Sequence, residues 1–449
     1  MKNYLIVGAG RSGIAAGQML TQLGENFTIY DAKCDLDTKN VASQISDTAD
    51  IPFLLGDVST DQLAGFDICV VSPGVPLDTP IMKTVAKCNI PVYSEIELAY
   101  LYDKGSIIAI TGTNGKTTTT SLVYEIMRDF DKDTLLVGNI EIPYTGLALT
   151  SKDSGATVAE ISSFQLETMI TFRPKVSAIL NITPDHLDRH KTMENYADIK
   201  KSIAKNQGAE DFCVLNFEDP YLKDFGANLG CKAVYFSAYR ELTDGWYYKD
   251  GTIYEAVNGN ATAFINVDES NLVGLHNYEN IMAAAAMTKS YGVPDEVIKN
   301  AIRKFRAVEH RIEYVATKKG VKYYNDSKGT NTDAAIKAID AMPSTTVLIG
   351  GGYDKDADFD EWVSHFPGKV RKLVLIGQTR EKIASACDKI GFTDYCFAED
   401  LEEAVKLCAE AAQSGDCCLL SPACASWGMF KCYQQRGDMF KEYVNAIEE

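Results

Sequence analysis

Lys116 and Thr117 follow Gly115 directly at what reads as a strand-to-helix turn. Those residue types at that place handle phosphate. Ser106 to Ile110 is a short apolar run that reads as a buried strand, and it breaks into Thr111-Gly112-Thr113-Asn114-Gly115. A helical pattern follows from Thr120 to Phe130. In such a turn glycines let backbone N–H groups close on phosphate oxygens, and the helix N-terminus adds positive potential. Lys116 can then reach the terminal phosphates of a nucleoside triphosphate, and the Thr117 hydroxyl can hold Mg²⁺. The usual pattern opens on a glycine where Ile110 stands. An ordinary strand-turn-helix corner is the bland alternative, which the rarity of Gly-Lys-Thr at such a turn disfavours.

Two further strands end in reactive groups. Ala156–Ile161 carries Glu160 at its end, and Ser162-Ser163-Phe164-Gln165 reads as a capping box opening a helix. Val176–Ile182 runs into Thr183-Pro184-Asp185-His186-Leu187-Asp188. In open α/β sheets chemistry collects beyond the carboxyl ends of strands. A carboxylate there can hold the Mg²⁺ that a triphosphate needs. His186, one of only five histidines, can ligate a second metal or simply bond to the backbone of its turn. Lys200 falls in the apolar stripe Tyr196, Ile199, Ile203 of a helix expected over Glu194–Lys205. Snorkelling is the ordinary fate of such a lysine. Burial would instead hold it neutral and reactive, including toward CO₂ to give a carbamate.

The N-terminal third carries Gly8-Ala9-Gly10-Arg11-Ser12-Gly13 after the strand Tyr4–Val7, with Asp31 closing the next strand, Phe27–Tyr30. This is a dinucleotide-type fingerprint. The same turn can cradle any diphosphate, so a nucleotide is expected and nicotinamide is one option among several.

Strand and helix signals alternate in three blocks, which predicts an α/β chain of parallel sheets covered by helices. The expected domains are 1–95, 96–307 and 308–449. The middle one adds a β-rich stretch from Phe212 to Val273, with a turn at Lys249-Asp250-Gly251, and a helix over Asn280–Tyr291. The last block has strands at Tyr323–Asn325, Thr346–Ile349, Leu373–Ile376 and Cys417–Leu420 and a final helix at Phe440–Ile447. The 449 residues are too many for one ordinary core. A net charge of −18 argues against a nucleic-acid footprint and against anionic membranes. No apolar run approaches the ~20 residues that span a bilayer. Twelve scattered cysteines without C-x-x-C pairs read as reduced thiols of a cytoplasmic protein.

Thr111–Thr117, Glu160–Glu167 and Asn181–Arg189 together resemble the motifs of the Mur ligases, the ATP-dependent amino-acid-adding enzymes of peptidoglycan synthesis. Asn325-Asp326-Ser327-Lys328-Gly329-Thr330-Asn331, Gly350–Lys355 and Leu420–Ser426 resemble the branch that adds D-glutamate. The resemblance covers nearly the whole chain. It implies a Rossmann-like N-terminal domain for a UDP-sugar, a central P-loop ATPase-like domain with a parallel sheet plus a small β-rich part, and a Rossmann-like C-terminal domain for the amino acid. The implied substrates are UDP-N-acetylmuramoyl-L-alanine and D-glutamate, with ATP and two Mg²⁺ sites, in a monomer. Arg11, Ser12, Asp31, Ser72, Pro73, Gly74 and Asn139 would face the UDP-sugar. Gly112, Thr113, Asn114, Gly115, Lys116, Thr117, Thr118 and Thr119 would cradle ATP, with Asn277 and Asn280 on adenine. Arg311, beside His310 at a hinge near 307, would reach ATP, with Asp326 on its ribose and Lys328 on a phosphate. Thr117 and Glu160 would hold one Mg²⁺; His186 and a carbamylated Lys200, four residues after Tyr196, would serve the second. Thr330, Lys355, Ser426 and Tyr433 would bind D-glutamate. Lys116, His186 and Lys200 are the catalytic candidates. Three residues depart from the family pattern: Gly329 for Ala, which is expected to matter little, Glu141 for Gly, and Tyr433 for Phe.

A nicotinamide-linked dehydrogenase would leave the 112–117 loop idle. A plain ATPase would leave Lys355 and Ser426 unexplained. A folylpolyglutamate synthase would lack the first domain. Sibling ligases are disfavoured only through the resemblance.

Overall fold

A computed structural model of the chain describes residues 1–47, 50–140, 142–306 and 308–448. Glu141, Ala307 within the expected hinge region near 307, and the terminal Glu449 lie outside the described residues. The chain divides into two compact units, Met1–Ile265 with Asn280–Ile302, and Asn266–Glu279 with Arg303–Glu449. The first carries two sheets and the second carries one.

The first sheet contains β1 (Asn3–Val7), β2 (Asn26–Asp31), β3 (Phe53–Leu55), β4 (Ile68–Val71) and β5 (Val92–Ser94). They run parallel in the order β3-β2-β1-β4-β5. Leu5 and Ile6 of β1 point to opposite faces and both are fully buried, as expected of a sheet covered on both sides. Strand order reverses at β1, so a crevice opens beyond its carboxyl end. The helix Arg11–Leu23 docks close to that end: a Cβ on Gly13 would lie 1.9 Å from the Gly8 carbonyl oxygen, so only glycine fits.

The second sheet contains β6 (Ser106–Thr111), β7 (Leu135–Gly138), β8 (Ala156–Glu160), β9 (Val176–Ile179), β10 (Phe212–Asn216), β11 (Lys232–Ser237), β12 (Gly245–Lys249), β13 (Thr252–Val257) and β14 (Asn260–Asn266). Their order is β14-β13-β12-β11-β10-β9-β6-β8-β7. Strands from β7 through β12 pair in parallel, and β12 and β13 form an antiparallel hairpin closed at Asp250-Gly251. The β-rich stretch extends the central parallel sheet. Cys213, Val214 and Leu215 of β10 are fully buried against β9, so the hydrophobic sheet simply continues.

The third sheet contains β15 (Glu313–Lys318), β16 (Val321–Asn325), β17 (Thr346–Gly350), β18 (Val370–Leu375), β19 (Tyr395–Phe397) and β20 (Cys417–Leu420). The order is β15-β16-β20-β17-β18-β19, parallel except for β15. Trp362, Phe366 and Ile383 pack on one face, Leu401, Phe440 and Val444 on the other.

Several elements differ from expectation at their ends. The helix after the phosphate loop starts at Lys116, not Thr120, because its threonine-rich first turn shows no apolar period. Strand β9 stops at Ile179, leaving Leu180–Ile182 to turn over the loop. The helix bearing Lys200 spans Met193–Lys201 and tightens into a 3₁₀ turn at Ser202–Ala204. The helix expected from Asn280 starts at Leu275, and the last helix spans Tyr433–Asn445. All twelve cysteines are unpaired, and Cys34 alone is exposed. No helix among the described residues is long and apolar enough to cross a membrane.

Candidate active site

Strand β6 feeds the phosphate loop straight into the helix Lys116–Phe130. Gly115 caps that helix at φ 83°, and a Cβ there would meet the Asn280 amide oxygen at 2.4 Å. Glycine is thus required twice, by backbone and by space. The loop is braced by the segment after β9. Thr113 N–H donates to the Asn181 carbonyl at 2.9 Å, and Asn114 N–H donates to Asn181 Oδ1 at 2.8 Å. Thr113 Oγ1 donates to the Thr183 carbonyl and meets Tyr196 Oη, both at 3.1 Å. Thr119 Oγ1 donates to Asn280 Oδ1 at 3.1 Å.

Two amines converge on the loop. Lys116 Nζ donates to the carbonyls of Gly112 and Thr113, and Lys200 Nζ donates to the Gly112 carbonyl, each at 2.8 Å. Lys200 is buried and lies 4.6 Å from the Tyr196 ring centre. Burial, then the Lys116 charge, pushes its amine well below the ordinary lysine range, against Asp185 and Glu160. A neutral amine is the form that attacks CO₂.

Glu160 ends β8 and is buried. Its Oε1 accepts Asn139 Nδ2 at 2.7 Å, while Oε2 is buried without a hydrogen-bond partner. A bare carboxylate oxygen is what a hard divalent cation takes, and buried Thr117 supplies a hydroxyl from the same loop. His186 caps the helix Leu187–His190 from the left-handed region at φ 52°. Burial pushes its imidazole below the ordinary value, keeping it neutral and able to ligate. No cluster of three or more His, Cys, Asp or Glu side chains is preassembled as a metal site among the described residues. The donor set fits Mg²⁺ through a hydroxyl, one carboxylate, an imidazole and a lysine able to become a carbamate.

Arg11 and Ser12 open the helix after β1. Asp31 turns inward: its Oδ2 accepts the Ala9 N–H and its Oδ1 the Lys33 N–H, each at 3.0 Å. Ser72 Oγ donates to the Gly8 carbonyl at 3.3 Å, so the turn Ser72-Pro73-Gly74 sits against the Gly8 turn.

In the second unit, buried Arg436 organises the candidates. Its guanidinium donates to Ser327 Oγ at 3.0 Å, to the Ser327 carbonyl at 2.6 Å and to the Cys424 carbonyl at 3.1 Å. Asp326 accepts Ser421 Oγ at 2.7 Å, and burial pushes its carboxyl up to about 7. Lys328 Nζ donates to Tyr433 Oη at 3.0 Å, joining a phosphate candidate to a glutamate candidate. Lys355 Nζ lies 5.1 Å from the Trp427 ring centre, next to buried Ser426. Thr330 N–H donates to the Lys328 carbonyl at 2.8 Å, and Asn277 Nδ2 donates to the Val273 carbonyl at 2.8 Å. His310 and Ile312 flank Arg311 at φ 65° and 48°, left-handed for non-glycine residues. Buried His310 is fixed by Asn325 Nδ2 at 3.0 Å from its Nδ1.

Three family profiles match in succession: "Mur ligase MurD-like, N-terminal domain" over 2–94, "Mur ligase middle domain" over 110–288 and "Mur ligase, glutamate ligase domain" over 310–424. The chain belongs to the Mur ligases. Among Mur ligases, it is 53% identical to the UDP-N-acetylmuramoylalanine--D-glutamate ligase of Lachnospira eligens, over 99% of both chains. The enzyme of that name from Lachnoclostridium phytofermentans is 50% identical, over 100% of this chain and 99% of its own. Among solved structures, UDP-N-acetylmuramate-alanine ligase MurC of Thermotoga maritima superposes with a TM-score of 0.62 at 18% identity, covering 99% of each chain. A pseudomurein peptide ligase type C of Methanothermus fervidus gives 0.62 at 16%, covering 100% of each chain. These two likenesses concern the fold.

One of the three departures has a steric side. A Cβ at Gly329 would stand 2.3 Å from Asp326 Oδ2, so an alanine would displace the carboxylate from Ser421. Tyr433 keeps its ring where phenylalanine is usual and adds the hydroxyl that Lys328 uses. Sequence reasoning also missed Asn181, Arg436 and Arg189. Asn181 was hidden in a strand reading, and Arg436 sits in a helix of unremarkable polarity. Arg189 closes the Asn181–Arg189 motif three residues after His186, and that spacing is the signal the sequence offers for it.

Proposed function

We propose that this Mur ligase joins D-glutamate to UDP-N-acetylmuramoyl-L-alanine, with ATP hydrolysed to ADP and phosphate, as a monomer in the cytoplasm. The observation that carries the reading is identity of 53% along 99% of both chains with a relative bearing that reaction's name. The converging amines at the phosphate loop agree with it.

A carboxylate is a poor electrophile. Its oxygen attacks the γ-phosphorus of ATP, the β–γ bridging bond breaks toward ADP, and an acyl phosphate results. The amine of D-glutamate then attacks the acyl carbon, the C–O bond to phosphate breaks, and the amine's surplus proton leaves to a base. Lys116 neutralises charge on the transferring phosphoryl group, and the N–H groups of the Gly112–Gly115 loop orient it. Mg²⁺, when bound, neutralises the phosphate oxygens; Thr117 and Glu160 would hold one ion, His186 and carbamylated Lys200 the second. Asn277 and Asn280 would meet adenine, Asp326 the ribose, and Arg311 and Lys328 the phosphates. Arg11, Ser12, Asp31, Ser72, Pro73, Gly74 and Asn139 would hold the UDP-sugar. Thr330, Lys355, Ser426 and Tyr433 would take the carboxylates of D-glutamate, largely by positioning. The proposed domain limits are 1–95, 96–307 and 308–449.

The test is phosphate release with ATP, Mg²⁺ and UDP-N-acetylmuramoyl-L-alanine across a panel of amino acids. D-glutamate alone should support turnover, and ¹⁸O from the acceptor carboxylate should appear in phosphate. Equal turnover with another amino acid, or unlabelled phosphate, would refute the reading.

A further inference from the structure

Arg189 is nearly buried, with 13% of its side chain exposed, and all three of its guanidinium nitrogens donate hydrogen bonds. Its Nη1 donates to the Pro73 carbonyl at 2.8 Å and its Nη2 to the Val75 carbonyl at 3.3 Å. Its Nε donates to Glu167 Oε1 at 3.2 Å, and its Nη2 donates to Glu167 Oε2. The plane also lies 4.2 Å from the centre of the Phe164 ring. Phe164 in turn packs against the His186 imidazole at 4.8 Å between centres.

The fork therefore links two things that no other pair of side chains described above joins. One is the turn 73–75 at the first sheet, beside the Gly8 turn. The other is the helix start that carries His186 at the phosphate end of the second sheet. Glu167 holds the fork in register, and a lysine could not copy it, since a single ammonium cannot donate to two carbonyls and a carboxylate in one plane. Mostly hidden from water, the pair is little screened.

We infer that Arg189 is a positioning residue: it clamps the turn 73–75 to the His186 helix and so sets where the acceptor's carboxylate arrives relative to the transferring phosphoryl group. This rests on the ligase reading above. At the turn 73–75 the clamp touches backbone carbonyls only, so it fixes the distance between the two halves of the site without reading the identity of the sugar.

The experiment is steady-state ADP release by the full chain and by Arg189→Met, Arg189→Lys and Glu167→Gln, with all three substrates varied in turn. Arg189→Met should raise the KM for UDP-N-acetylmuramoyl-L-alanine about tenfold and lower kcat about tenfold, since misplacement of about 1 Å costs on the order of 100-fold. The KM values for ATP and D-glutamate should stay within about twofold. A smaller folded fraction lowers kcat alone and cannot raise one KM selectively. Arg189→Lys should recover less than half of the lost kcat/KM. Should Arg189→Met fail to fold, Glu167→Gln, which keeps one acceptor oxygen, should show the same selective rise in one KM. Unchanged constants in the folded variants, or three KM values moving together, would overturn the clamp. A wild-type chain that released no ADP with this acceptor would overturn the ligase reading and the clamp with it.

Discussion

The side-chain nitrogens of Lys116 and Lys200 both donate to one oxygen, the Gly112 carbonyl, each at 2.8 Å. Two full positive charges so placed repel, and burial with the Lys116 charge pushes the Lys200 amine well below the ordinary lysine range. The proposed division of roles follows that asymmetry: Lys116 for phosphate, Lys200 for amine chemistry. Lys116→Ala should lower ADP formation by about 10³-fold. Lys200→Ala should be comparably inactive but regain turnover with millimolar acetate, a stand-in for the carbamate. Rescue of Lys116→Ala by acetate, or none for Lys200→Ala, would reverse or remove that division.

Gly329 leaves room for the Asp326 carboxylate to turn toward Ser421. Gly329→Ala should drive that group out of its buried place. Its pKa, pushed up to about 7 by burial, should then fall toward the ordinary carboxylate range. Side-chain carbon NMR of labelled aspartate would follow the titration. An unmoved midpoint would mean that the methyl is absorbed elsewhere.

Glu95 is fully buried, with Oε1 accepting both Thr145 N–H at 2.6 Å and Thr145 Oγ1 at 2.7 Å and Oε2 unpartnered. Burial pushes its carboxyl from 4.5 up to about 7. The folded chain thus binds the proton more tightly than the unfolded one. The stabilisation is complete below pH 4.5 and is lost as pH rises through 7. Glu95→Gln keeps the accepting oxygen and sheds the charge. It should gain on the order of 2–3 kcal/mol relative to wild type at pH 8 and almost nothing at pH 4.5. Denaturant melts at the two pH values decide this; an equal gap at both would refute it.

Trp427 is 55% exposed, packs edge-on against Tyr353 at 5.6 Å and carries the Lys355 ammonium over its ring. An exposed contact of this type is worth about 1 kcal/mol. Trp427→Ala should therefore raise the KM for D-glutamate about fivefold while the KM for ATP holds steady. A larger shift for ATP than for D-glutamate would show that the ring serves something other than Lys355.

Much of this was legible from residue order. Gly115-Lys116-Thr117 after an apolar run, the Ser162–Gln165 capping box and the Asp250-Gly251 hairpin each depend on neighbours in the chain, and each is present. What escaped depends on partners distant in sequence. Helix starts at Lys116 and Leu275 were missed because their first turns have no apolar rhythm. The joining of Phe212–Asn266 to the central sheet depends on the pairing of β10 with β9, which no local pattern encodes. Asp31 has the spacing of a ribose ligand yet spends both oxygens on backbone, and Arg189 reaches carbonyls more than a hundred residues earlier.

Of the twelve thiols, that of Cys34 belongs to the one exposed cysteine, three residues beyond Asp31, while Cys88, Cys231, Cys396 and Cys432 are half-buried. Burial pushes those of Cys69, Cys213 and Cys387 up to about 12, where alkylating reagents find almost no thiolate. A maleimide dye offered at neutral pH would react fastest at Cys34, in the N-terminal domain where a uridine nucleotide should dock. The natural chain then becomes its own optical gauge of first-substrate arrival, with no engineered cysteine.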